Sequence, residues 1–138
     1  MGHKMAVQLS VAVRNARLDS IETTISTAPL LDIRSGAQPA NCATADSGTE
    51  LEHMTLPSDW MSAAASGAKA LLGSWTGTTD DAGTAAHFRI KESTDTTCHI
   101  QGSITATSGG GDMELDNVTI AAGQSITVNT FTLTDGNA

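Results

Sequence analysis

Aromatic and cationic residues are both scarce in this 138-residue sequence. It has no tyrosine, and aromatics make up only 3% of the chain, so few rings could stack on nucleic-acid bases or on sugars. Seven Lys and Arg stand against fifteen Asp and Glu, which gives a formal charge of −8. The averaged field repels phosphates and anionic lipids. Nucleic acid and membrane surfaces are therefore not expected as partners.

Long apolar segments are also missing. No run approaches the roughly 18 residues that a membrane-spanning helix needs, and the N-terminal region has no apolar stretch followed by a signal-peptide cleavage site. The sequence therefore predicts a soluble protein that is made, and kept or assembled, in a cytoplasm. Its length fits one domain with an ordinary core and is too short for two.

Cysteine is nearly absent, with Cys42 and Cys98 as the only two. Two thiols without a secretory signal do not indicate a disulfide framework. We expect both to be buried and reduced. A bridge between them stays open as an alternative if they lie on adjacent strands.

The N-terminal region differs in composition from the rest of the chain. We interpret residues 1–5 as a vector-derived or disordered leader and residues 6–28 as a helical arm. Residues 6–27 contain neither Gly nor Pro, and their apolar positions are spaced as on a helix of 15 to 20 residues. These positions are Val7, Val11, Leu18, Ile21 and Ile25.

Two alternatives remain for this arm. The helix either lies on its own domain or bundles with copies of itself from neighbouring subunits. In the second case the same five apolar residues make contacts between subunits or with a shell. The first few residues also fit a strand, with the helix then beginning near Val13.

After Pro29 the pattern changes to short alternating runs separated by Gly, Asp, Asn and Ser. About seven such runs predict a mainly β domain over residues 29–138, either an antiparallel β-sandwich or a jelly-roll-like barrel. A hairpin turn is predicted at 92–97. The Ala-Ser-Gly tract after Met61 is interpreted as a loop. The predicted core contains Ile33, Leu56, Phe88, Ile90, Ile100, Ile104, Val128 and Leu133.

The last regular run, Ser125 to Thr134, contains an irregularity. Val128 and Phe131 are an odd number of residues apart and cannot share one face of a strictly alternating strand. The sequence therefore predicts a bulge or a change of sheet near Asn129 and Thr130.

The search for chemistry finds no set of nucleophile, base and orienting group. The sequence allows two metal sites, one formed by His87 and His99 with Asp80 or Asp81 and one calcium loop formed by Asp112, Glu114 and Asp116. Both patterns are also typical of the outer face of a strand. Cys98 and His99 are adjacent, so on a strand they point to opposite faces. We predict no enzymatic activity, no cofactor and no metal, and we interpret the glycines at 109–111 as a flexible loop tip.

Five segments carry a resemblance to known proteins, namely Leu18–Glu22, Ile33–Cys42, Leu56–Met61, Ala86–Ile90 and Phe131–Asn137. They resemble a family of small, largely uncharacterised proteins encoded among the structural genes of tailed bacteriophages and prophages. The similarity covers nearly all of the chain after Met5. The resemblance implies a virion part, and the family has no catalytic motif to transfer.

Two functions follow as expectations. In the first, the protein is a capsid decoration or cement protein that binds the major capsid protein or other virion proteins on the assembled shell. It is then expected to be a homo-oligomer, a trimer. In the second, it is a tail or fibre domain that presents the loops at 80–85 and 108–112 to a host glycan. Trp60 and Trp75 are the only tryptophans for sugar stacking, and core packing is the other role open to them.

Overall fold

The computed structural model describes residues 7–136, so the predicted leader at residues 1–5 lies outside the described residues. The described chain has one helix, α1 (Val11–Ile25), followed by ten strands. In chain order these are β1 (Leu30–Arg34), β2 (Glu50–Thr55), β3 (Ala68–Ala70), β4 (Thr76–Thr78), β5 (Gly83–Thr84), β6 (His87–Lys91), β7 (Cys98–Ala106), β8 (Met113–Leu115), β9 (Thr119–Ile120) and β10 (Ser125–Thr134).

Helix α1 begins at Val11 because Ser10 caps it. The Ser10 backbone is extended, and its hydroxyl accepts a hydrogen bond from Val13 N at 3.2 Å. The helix ends at Ile25, where Ser26 takes a left-handed φ of 74°. The predicted single helix is confirmed with 15 residues. The alternative of an initial strand is wrong, since residues 7–10 are not in a strand.

Eight strands form one sheet in the order β2-β1-β6-β7-β8-β10-β3, with β4 paired to β10 beside this path. Strands β5 and β9 form a small second sheet. All these pairs are antiparallel except β7 with β8, which is parallel. The mainly β fold with an N-terminal helix is confirmed, but the sheet is mixed and is not closed into a barrel.

Two details of strand pairing follow the sequence prediction. Strands β6 and β7 are antiparallel neighbours joined through residues 92–97. The register of β10 against β8 shifts between Val128 and Thr130, so the predicted bulge is present. Because of this bulge, Val128 and Phe131 are both buried while Asn129 and Thr130 are exposed.

Strand β3 lies in the Ala-Ser-Gly tract that the sequence indicated as a loop. It pairs with the end of β10, where Lys69 is opposite Leu133. Strand propensity is low in this tract, and what fixes the strand is backbone pairing to β10 together with the burial of Lys69. Tertiary structure here overrides local preference.

The parallel pairing of β7 with β8 requires the chain to reverse direction between the two strands, and this reversal is here called the backtrack. Residues 107–112 return beside β7, so that Met113 pairs with Ile104. A Cβ on Gly109 would lie 2.6 Å from Thr105 Cβ, and one on Gly111 would lie 2.9 Å from Thr105 N. Gly109 and Gly111 are therefore needed for close packing of two backbone segments. The three glycines lie in a loop, as predicted, and a Cβ on Gly110 would meet nothing within 4 Å.

The core is formed mainly by residues of the strands and their connections, and α1 contributes Ile25 and the partly buried Ile21. Six of the eight predicted core residues are buried, and Ile100 and Leu133 are partly buried and pack against the same cluster. All four aromatic residues of the chain also lie in it. Their rings form a chain of contacts, with centroid distances of 6.0 Å for Trp60–Trp75, 5.6 Å for Trp75–Phe131 and 5.4 Å for Phe88–Phe131.

Candidate functional site

The five apolar residues predicted to make subunit or shell contacts divide into two groups in the structure. Leu18 and Ile25 are 3% and 2% exposed and lie within the chain's own core, while Ile21 is partly buried against it. Val7 and Val11 are 80% and 47% exposed. The prediction is therefore corrected for Leu18 and Ile25, because side chains buried in their own domain are not available to a partner.

Polar contacts also hold helix α1 against strand β3. Lys69 Nζ lies 2.7 Å from Asp19 Oδ1 and 2.8 Å from Glu22 Oε1. Asn15 Oδ1 accepts a hydrogen bond from Gly67 N at 2.9 Å, and Asp19 Oδ1 accepts one from Ala64 N at 2.9 Å. These ion pairs and hydrogen bonds, with the burial of Leu18 and Ile25, favour the alternative in which the helix lies on its own domain.

A second polar region lies where residues 35–49, here called the covering loop, pass from β1 to β2. Four side chains of the sheet donate hydrogen bonds to carbonyl oxygens of this loop. They are Arg34 Nε to Ser47 (2.8 Å), Arg89 Nη2 to Asn41 (2.9 Å), Gln101 Nε2 to Pro39 (2.8 Å) and His87 Nδ1 to Gly36 (3.0 Å). Carbonyl groups without regular pairing are thus satisfied by the sheet, and the loop is tied to it.

Asp46 of the covering loop is the centre of an ion-pair cluster. Its two carboxylate oxygens accept from Arg89 Nη1 at 2.7 Å and from Lys91 Nζ at 2.8 Å, and Arg34 lies 3.9 Å away. Burial raises the pKa of Asp46, but the hydrogen bonds from Lys91 and Arg89 and the charges of Lys91 and Arg34 outweigh it and lower the pKa to about 2. The carboxylate is therefore ionised throughout the neutral range.

Asp32 and His53 form a neighbouring pair. His53 Nδ1 lies 2.6 Å from Asp32 Oδ1, and the Asp32 side chain is 1% exposed. Burial lowers the pKa of His53, but the hydrogen bond to Asp32 and the charges of Asp32, Glu50 and Asp95 outweigh it, so the net pKa is raised. A buried carboxylate that orients a histidine is a partial hydrolase arrangement. However, His53 Nε2 faces the Asp95 carboxylate at 3.8 Å instead of a nucleophile.

The same pair contributes to a group of possible metal ligands. Within the described residues, Asp32, Glu50 and His53 place ligand atoms within 4.8 Å of one another. Asp32 Oδ2 has no hydrogen-bond partner but lies 3.4 Å from Lys91 Nζ and 3.6 Å from Arg34 Nη1. A divalent cation would compete with both charges. The arrangement is typical of a structural ion-pair cluster.

The metal sites weighed from the sequence are not assembled. His87 pairs with Ser103 in the β6–β7 ladder, while His99 lies at the other end of β7 beside Cys98. His87 is 1% exposed, and burial together with the charges of Arg34 and Arg89 lowers its pKa despite its hydrogen bond to Gly36 O. His99 instead lies 3.6 Å from Glu92.

The three acidic residues weighed as a calcium loop each bind a different part of the chain. Asp112 Oδ2 accepts from Ser103 N at 2.9 Å, Glu114 Oε2 from Gly110 N at 3.1 Å, and Asp116 Oδ1 from Thr127 N at 3.0 Å. Carboxylates that accept backbone N–H groups stabilise turns and strand ends. In this structure they do so separately, with no shared ligand position.

Trp60 and Trp75 are 0% and 1% exposed. Their indole N–H groups donate to Ser26 O at 3.0 Å and to Leu72 O at 3.1 Å. Core packing is therefore their role. Because the other two aromatic residues, Phe88 and Phe131, are also buried, no aromatic ring of the chain forms a platform for a sugar.

The two cysteines meet beside the covering loop. Both are half-buried, and Cys98 Sγ lies 2.7 Å from Cys42 Sγ. They belong to the rim of a shallow surface cavity of about 330 Å³, whose lining also includes Arg89, Lys91 and Asp46. Both cysteines are free thiols, as expected, but they are half-buried where full burial was expected. Cys42 lies in the covering loop and not on a strand adjacent to β7.

Comparison with protein-family models, with curated proteins and with solved structures finds no match to this chain. Within residues 7–136, helix α1 is neither long enough nor apolar enough to cross a bilayer.

Proposed function

We propose that the chain is a non-enzymatic structural protein of a tailed-bacteriophage virion, a capsid decoration protein that binds repeated sites on the assembled shell. The resemblance to proteins encoded among phage structural genes supports the class. The structural observation behind the proposal is that the apolar side chains of α1 and of the residues before it form a buried group and an exposed group. Leu18 and Ile25 anchor the helix in the domain, while Val7, Val11 and Val13 are 80%, 47% and 46% exposed. Exposed apolar side chains grouped at one end of an anchored helix are suited to contact a partner.

The occupants of this surface are a second copy of the chain and the shell protein, with a trimer as the expected oligomer. The cations of the described domain support a structural role as well. Arg34, Lys69, Arg89 and Lys91 are each paired with carboxylates in the same chain. Groups already satisfied in this way stabilise the domain and do not form a cationic surface for an anionic ligand.

A tail or fibre domain that binds a host glycan is the second candidate. All four aromatic side chains are buried, which removes the stacking surface on which carbohydrate recognition commonly depends. A glycan array with the full chain separates the two candidates, since specific glycan binding would favour the fibre assignment.

Purified virions or induced prophage particles from the source strain provide the direct test. We expect mass spectrometry to detect the protein in particles at many copies, and cryo-electron microscopy to place it on the shell lattice. The double variant Val7→Ser/Val11→Ser should bind stripped shells more weakly than wild type, whereas Leu72→Ser, a change at another exposed apolar residue (40%), should bind normally. Absence of the protein from particles would overturn the proposal.

A further inference from the structure

The two cysteines are held next to each other by ordered backbone on both sides. Asn41 Oδ1 accepts from Ala43 N at 2.9 Å and from Thr44 N at 3.1 Å, which fixes the turn that contains Cys42. The Cys42 carbonyl also accepts from Arg89 Nη2 at 3.3 Å. Cys98 opens β7 and pairs with Lys91 of β6. Both sulfurs are therefore positioned by the fold, and little further ordering is needed to join them.

We propose that Cys42 and Cys98 form a reversible disulfide that fastens the covering loop to strand β7. The Sγ–Sγ distance of 2.7 Å is already close to the roughly 2.05 Å of an S–S bond. The bond links residues 56 positions apart in the chain, so it constrains the unfolded state strongly. This inference is independent of the virion assignment, because it depends only on the thiol geometry.

The chemical step requires a low-molecular-weight disulfide such as oxidised glutathione as the oxidant. Cys42, as the thiolate, attacks one glutathione sulfur, forms a mixed disulfide and releases one glutathione thiolate. Cys98 then loses its proton and attacks Cys42 Sγ, which forms the Sγ–Sγ bond and releases the second glutathione. The two cysteines lose two electrons and two protons, and the oxidant gains them as two thiols.

Access and rate follow from the surroundings. Both half-buried sulfurs line an open surface cavity of about 330 Å³, so the disulfide group of the oxidant approaches them from solvent. Burial raises the pKa of the Cys98 thiol. Because only the thiolate attacks a disulfide, the second step accelerates as the pH rises. In a reducing cytoplasm the pair stays as thiols, and it closes when the protein reaches an oxidising medium.

The experiment treats the reduced full chain with oxidised glutathione and follows intact mass, free thiols in denaturant, and a non-reducing peptide map. We expect loss of two hydrogen atoms in a monomeric species, a peptide linking Cys42 to Cys98, faster closure at higher pH, and a Tm raised by about 5 to 15 °C. Cys42→Ser and Cys98→Ser are matched controls. Each single-serine variant should keep one glutathione on its remaining cysteine, and its Tm should not rise.

Three results would overturn the proposal. One is a wild-type chain that carries a glutathione on each cysteine, because the two sulfurs then do not reach each other. A second is a pair of thiols that remains free under conditions where either single-serine variant is modified. The third is a disulfide between two chains in place of the internal one. The mass measurement on wild type decides among these results even if a serine variant folds poorly.

Discussion

Lys69 Nζ lies 2.7 Å from Asp19 Oδ1, and only 1% of the Lys69 side chain is exposed. The ammonium group is held between helix α1 and strand β3, where it also contacts Ser62 O at 2.7 Å. A buried cation requires such partners, because desolvation penalises an unpaired charge. Lys69 therefore makes the helix and the sheet depend on each other.

The substitution Lys69→Met keeps much of the apolar stem and removes the charge. We expect the free energy of unfolding to fall by about 1 to 3 kcal/mol, because hydrogen bonds to charged groups are lost between α1 and β3. Urea denaturation measures the change. Arg17→Ala is the control, since Arg17 is 56% exposed in its pair with Asp135 and should cost about 0.5 kcal/mol or less. Equal effects of the two variants would contradict this role for Lys69.

Gly109→Ala should destabilise the backtrack between β7 and β8. The added methyl group would lie 2.6 Å from Thr105, and a clash of this kind costs about 1 to 3 kcal/mol. Gly136→Ala is the matched control, because nothing lies within 4 Å of a Cβ at that position. Thermal unfolding followed by circular dichroism measures both. An unchanged Tm for Gly109→Ala would show that the turn is looser than described.

His53 gives the stability a dependence on alkaline pH. Its pKa is raised above the ordinary 6.5 by Asp32, Glu50 and Asp95, against the effect of burial, so the folded chain binds the proton more tightly than the unfolded chain. This contribution is fully present below pH 6.5 and is lost as the pH rises through the raised pKa. Urea unfolding at a series of pH values should show the loss in wild type. His53→Asn should remove that slope, and its persistence would contradict the assignment.

His87 gives the stability a dependence on acidic pH, opposite in sign to that of His53. Burial and the charges of Arg34 and Arg89 lower its pKa below 6.5, so protonation favours the unfolded chain. Its contribution is present above pH 6.5 and is lost as the pH falls toward the lowered pKa. Together with His53 this predicts a stability maximum near pH 6.5. In His87→Asn the decline below that pH should be shallower than in wild type, and a decline of equal steepness would contradict the prediction.

Asp46→Asn tests the ion-pair cluster under the covering loop. The amide cannot neutralise the positive charges of Arg89 and Lys91. Because Asp46 is partly exposed, we expect the free energy of unfolding at pH 7 to fall toward the lower end of about 1 to 3 kcal/mol. The contribution of the carboxylate is present above pH 3.8 and is lost as the pH falls through about 2. Asp81→Asn, at an exposed carboxylate, should have little effect. A variant as stable as wild type at pH 7 would disprove the cluster's role.

Local periodicity predicted those parts of the fold in which neighbouring residues decide the outcome. The alternation in His87 to Lys91 placed Phe88 and Ile90 in the core, and the odd step between Val128 and Phe131 placed the bulge correctly. The same alternation puts three basic side chains of β6 on the other face. In an acidic chain this pattern is the one signal that could have indicated the ion-pair cluster.

The remaining features depend on contacts that sequence spacing does not reveal. Asp46 and Arg89 are 43 positions apart, and Cys42 and Cys98 are 56 apart. The parallel pairing of β7 with β8 depends on how closely Gly109 and Gly111 approach Thr105. Helix α1 was predicted correctly as an element, but which of its apolar residues face the domain depends on β3, which has no strong strand signal of its own.

Strand β10 pairs with β8, β4 and β3, all of which precede it in the chain. On a translating ribosome these three strands emerge first, and their edges toward β10 stay unpaired until residues 125–134 leave the exit tunnel. Unpaired edges are prone to join neighbouring chains. We therefore expect a fragment that ends before residue 125 to aggregate, because the strand edges that pair with β10 stay open in it.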